Sequence, residues 1–171
     1  MDEAETLRTI AEIGIALAGF TGVVAVLGRR SRGDWSPLES LRLSILLATS
    51  LAAVFLSFVP ILMLRGVASV EAAWRASNGV CGVVFLIGMI GGFARWRASS
   101  YTFETTSVPV GWLLLGIMTP LGMLIGFAQV MIALGFHLLD AFLIYALCLL
   151  YLLSLSAMNF VFLLLPDKSP R

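Results

Sequence analysis

Between Leu43 and Leu64 the chain reads LSILLATSLAAVFLSFVPILML, without a single charged side chain. A helix of that length reaches about the 30 Å thickness of a bilayer's hydrocarbon. A stretch so uniformly apolar cannot hide every face inside a small soluble core. Similar stretches recur along the chain, so the sequence predicts an all-α integral membrane protein: a single membrane domain over residues 1–171, built as a bundle of five transmembrane helices. The spans fall at about 9–28, 37–64, 72–94, 109–134 and 138–165, with a short polar tail at 166–171. Composition agrees. Hydrophobic residues make up 60% and charged residues 12% of the chain, against about 25% charge in soluble domains.

Several local signals set the helix ends. Ser36-Pro37-Leu38-Glu39 reads as a capping box that starts the second helix. Pro60 is expected to kink that helix near its far end, and Thr119-Pro120 lies inside the fourth. Pro166 closes the fifth. The first span is short: Ile13–Gly28 rises about 24 Å, so either Arg29 snorkels outward or Glu12 is drawn to the hydrocarbon edge. The acidic residues Asp2, Glu3 and Glu5 precede this span and Arg29, Arg30 and Arg32 follow it, the opposite of a cleavable signal peptide.

Charge asymmetry gives an expected orientation. With the Arg29–Ser36 loop in the cytoplasm, eight of the eleven basic residues lie inside and Arg8, Arg65 and Arg75 lie outside. The expected topology is N-terminus out and C-terminus in. Trp35, Trp74, Trp96 and Trp112 all fall near expected boundaries, as an aromatic belt requires. A net charge of +1 gives no reason to expect a nucleic-acid partner.

Small residues mark expected packing faces, because without a hydrophobic drive helices associate where backbones can approach closely. Gly14, Ala18 and Gly22 form such a stripe on the first helix, Gly88 and Gly92 on the third, and Gly122 and Gly126 on the fourth. So much small-residue surface implies a homo-oligomer.

Few residues could carry chemistry. Glu12 and Gly19 on the first helix, Gln129 on the fourth and Ser156 with Asn159 on the fifth are candidates to line a pathway. The polar ones have a plainer alternative: Glu12 pairing with Arg8 at the interface, and Gln129 and the Asn159 line bonding between helices. His137 and Asp140 form at most a weak metal or proton site, and a helix cap explains them more simply. Cys81 and Cys148 read as small buried hydrophobes rather than a disulfide or a metal pair. No zinc, hydrolase or phosphate-binding motif occurs, so no catalytic residue, cofactor or metal is expected, and the chain is not expected to be an enzyme. The expected function is a small oligomeric channel or transporter for a small cation or proton, multi-pass in a cell membrane, the bacterial inner membrane being the expected one. The alternative is a non-catalytic accessory subunit that docks a partner membrane protein through its glycine-rich faces.

Overall fold

The computed structural model describes residues 3–32, 37–66, 69–98, 113–136 and 140–164. Five helices carry the chain: α1 (Glu3–Arg32), α2 (Pro37–Gly66), α3 (Val70–Ala98), α4 (Thr119–Ala133) and α5 (Ala141–Leu164). A π-helical turn, Leu113–Met118, leads directly into α4. Among the described residues there is no strand. Five helices are long and apolar enough to cross a membrane, as a multi-pass membrane protein requires.

The helix ends differ from expectation in places. α1 begins at Glu3 and continues through Arg32, so Arg29, Arg30 and Arg32 lie on helix rather than in a loop. Nothing in Leu27 to Arg32 breaks a helix except Gly28, and glycine is tolerated there. α2 opens on Pro37 as expected and runs uninterrupted through Pro60. Ser36, residues 109–112 and His137 lie outside the described residues. Pro120 has no N–H for the carbonyl of Gly116, and its ring crowds that carbonyl. Gly116 falls in the π-helical turn, where wider i to i+5 bonding takes over. The backbone at Thr119-Pro120 thus stays helical by widening, rather than breaking.

The chain forms two compact units. The first holds α1, α2 through Leu62 and α5 from Leu149. Gly14 of α1 lies so close to α2 that a Cβ there would stand 2.7 Å from Val54 Cγ2 and 3.1 Å from the Ser50 carbonyl oxygen. Ser50 and Ser156 join α2 to α5 by a hydroxyl–hydroxyl bond, and Ser156 Oγ also reaches the Leu46 carbonyl at 3.2 Å. The stripe on α1 is packed at Gly14 and open at Gly22, where no heavy atom of the described residues lies within 4 Å of a Cβ position.

The second unit takes residues 63–148. Here α3 and α4 run antiparallel, with Gly79 against Ala133, Gly82 against Gln129 and Gly126 against Phe85. The first two turns of α5 run parallel to α3: Trp74 meets Phe142 and Tyr145 edge-on at 5.5 and 5.8 Å, and Asn78 bonds the Ala141 carbonyl. Trp74 is therefore buried in this unit and is not a belt residue. α4 closes in a Schellman turn, with Gly135 at φ 95° and the N–H groups of Gly135 and Phe136 bonded to the Ile132 and Met131 carbonyls.

Candidate functional site

The buried polar side chains fall into two kinds, those with partners and those without. Most hydroxyls follow the usual rule and return to the carbonyl four residues earlier, as Thr21, Ser57 and Ser77 do. Asn159 likewise donates to Leu155 at 2.8 Å within its own helix. Ser156 is fully buried and bonded across to α2. These groups satisfy one another or the backbone, as a low-dielectric interior demands.

Gln129 is different. It is fully buried on α4, and neither Oε1 nor Nε2 has a hydrogen-bond partner among the described residues. Its side chain seats against Gly82 of α3, where a Cβ would stand 3.5 Å from Gln129 Cβ and 3.7 Å from Oε1. One residue back along α3, Cys81 points to the same place and meets Cys148 of α5 with the sulfurs 3.6 Å apart. Both cysteines are free and fully buried, and the Gln129 amide neighbours both thiols. Nearly a turn earlier, Asn78 spends its amide N–H groups on the Trp74 and Ala141 carbonyls at 2.9 and 3.1 Å. Its Oδ1 is left without a partner among the described residues. Three helices of one unit therefore converge on two thiols and two amides that carry three unsatisfied polar atoms.

The other sequence candidates lie elsewhere. Glu12 is exposed on α1 and accepts from Arg8 Nε at 2.9 Å, four residues away on the same helix. Gly19 is exposed, with no heavy atom of the described residues within 4 Å of its Cβ position. Both lie on exposed parts of α1. Ser156 and Asn159 belong to the first unit and Gln129 to the second. Gly122 is buried, Ala18 is half-buried, and Gly88 and Gly92 have open space at their Cβ positions. Asp140 caps α5, its Oδ1 accepting from the Leu143 N–H at 3.0 Å.

The pairing of Cys81 with Cys148 is the feature that sequence reading missed, because the two are 67 residues apart. The parallel register of α3 and α5 brings them together, and no local motif encodes it. Among the described residues no group of three or more His, Cys, Asp or Glu could hold a metal ion. No family profile, characterised protein or solved structure matches the chain.

Proposed function

We propose that this chain is a small membrane channel or transporter for a small cation or proton, non-catalytic and working as a homo-oligomer. The proposal includes the topology with the N-terminus outside and the C-terminus inside, and a bacterial inner membrane as its location. The observation that carries the reading is the fully buried, unpartnered amide of Gln129. An amide used only as glue bonds across a helix interface, as Asn78 does to Ala141. An amide buried in the protein with only weakly bonding thiols beside it is costly, and its persistence fits a polar species that passes and satisfies it in transit.

The test is flux in sealed liposomes containing the purified protein. Cations or protons should cross, and Gln129→Leu should slow them at least tenfold. Phe55→Leu, on an exposed part of α2, serves as the comparison substitution. Vesicles that stay tight around a well-folded protein would reject the proposal.

A second reading rests on Gly88, Gly91 and Gly92 of α3, which have open space at their Cβ positions. In that reading the chain is an accessory subunit and a partner membrane protein covers this face. A partner retained in mild detergent and lost on Gly88→Leu or Gly92→Leu would favour it.

A further inference from the structure

We infer that Cys81, Cys148 and Gln129 form a binding site for a soft monovalent metal cation of the copper(I) or silver(I) class. The inference deepens the transport reading and rests on it for the identity of the cargo. Thiol sulfur is a soft donor that discriminates against hard cations such as potassium or magnesium, which prefer oxygen. A tetrahedral zinc ion needs about four such donors, more than the described residues gather anywhere. A two-sulfur site suits a d10 monovalent ion, which accepts two donors in line. With metal–sulfur bonds of about 2.3 Å, sulfurs now 3.6 Å apart need to part by only about 1 Å to flank the ion.

Charge explains why an amide is built beside the thiols. One cysteine loses its S–H proton, its sulfur binds the cation through the freed electron pair, and the proton leaves to solvent. The second sulfur coordinates through a lone pair and keeps its proton. No atom changes oxidation state, and the site is neutral before and after, which the low dielectric around it strongly favours. Gln129 then gains a partner at each end: its N–H donates to the thiolate sulfur, and its carbonyl accepts from the remaining S–H. Both polar atoms that lack partners in the described fold are satisfied by this one arrangement.

The experiment titrates the reduced full-length protein, in detergent and without oxygen, with silver(I) or copper(I) against a competing chelator. One ion per chain should bind, with sulfur neighbours in X-ray absorption. Affinity should rise about tenfold per pH unit, since one proton is displaced. Cys81→Ser and Cys148→Ser should each weaken binding at least a hundredfold, and Gln129→Leu about tenfold at unchanged stoichiometry. Because a core variant can misfold, the wild-type protein supplies a second readout: silver(I) should raise its unfolding temperature where potassium does not. Failure of the folded, reduced protein to bind, a two-proton pH slope, or a Cys81–Cys148 disulfide forming in place of ion uptake would overturn the site. Ions bound without flux would remove the transport reading and leave the site standing. Proton or potassium flux without soft-metal binding would do the reverse.

Discussion

Arg42 Nη1 donates to the carbonyl oxygen of Phe162 at 3.3 Å, and its guanidinium carbon stands 5.7 Å from the centre of the Phe162 ring. Phe162 lies in the last turn of α5, where the carbonyls have no partner within the helix. One side chain on α2 thus satisfies the end of α5 and offsets the negative pole of its dipole. Arg42→Met should cost roughly 1 kcal/mol from the lost dipole and ring contacts, read as a lowered unfolding temperature in detergent. Arg42→Lys should recover only part of it, because an ammonium cannot place a planar fork over the ring and on the carbonyl together.

The second unit repeats the device. Arg75 reaches within 3.5 Å of the Ala133 carbonyl at the end of α4, beside Gly135 at φ 95°. A Cβ at Gly135 would lie 2.8 Å from Arg75 Nη2. Gly135→Ala should therefore destabilise by about 1–2 kcal/mol from backbone strain alone, and more if Arg75 is displaced. Chemical denaturation of this variant beside Gly22→Ala, whose Cβ position is open, checks the difference.

Gly14 makes a third prediction. Its Cβ position is 2.7 Å from Val54 Cγ2, so Gly14→Ala should cost about 1–3 kcal/mol by overpacking. Adding Val54→Ala should return part of that loss, although the Ser50 carbonyl at 3.1 Å still crowds the new methyl. No recovery in the double variant would show that the backbone approach, rather than the valine, sets the limit.

The Ser50–Ser156 bond is suited to a double-mutant cycle. Interhelical hydrogen bonds in membranes average about 0.6 kcal/mol, and the Ser50→Ala and Ser156→Ala pair should show coupling of that order. A coupling near zero would mean that the Leu46 carbonyl, within reach of both hydroxyls, satisfies each of them independently.

Orientation has its own test. A cysteine at Ser31 should resist an impermeant thiol reagent applied outside intact cells and react once the membrane is opened. The native thiols give little background, since Cys81 and Cys148 are fully buried. Rapid labelling from outside would reverse the proposed topology.

The helices were legible in the sequence because each holds a long run with few charges, and Pro37 announced a helix start at the position it occupies, whereas the last helix begins at Ala141, after the expected 138, with Asp140 as its cap. Facing was not legible. Where a helix is apolar all round, periodicity no longer says which side turns inward, so Gly14 and Gly22 looked alike although only Gly14 is packed. The polar residues stood out against the apolar sequence, but their surroundings depend on register between helices. Gln129 is unpartnered while Asn159 bonds its own helix, and the sequence around each gives no hint of that difference. The reading of Cys81 and Cys148 as buried was right, and their contact across α3 and α5 lay beyond any local signal.

The widened turn at Leu113–Met118 has a consequence for how this region tolerates length changes. A π-helical turn holds one residue more than an α-helical turn of the same rise, and within α4 each residue removed or added rotates one side against the other by about 100°. Deleting one residue inside the turn would tighten it to ordinary α geometry and leave Gln129 seated on Gly82. The same deletion a few positions later, between Pro120 and Gln129, would rotate the amide away from the sulfurs, so the turn works as an expansion joint placed ahead of the part of α4 whose phase must not change.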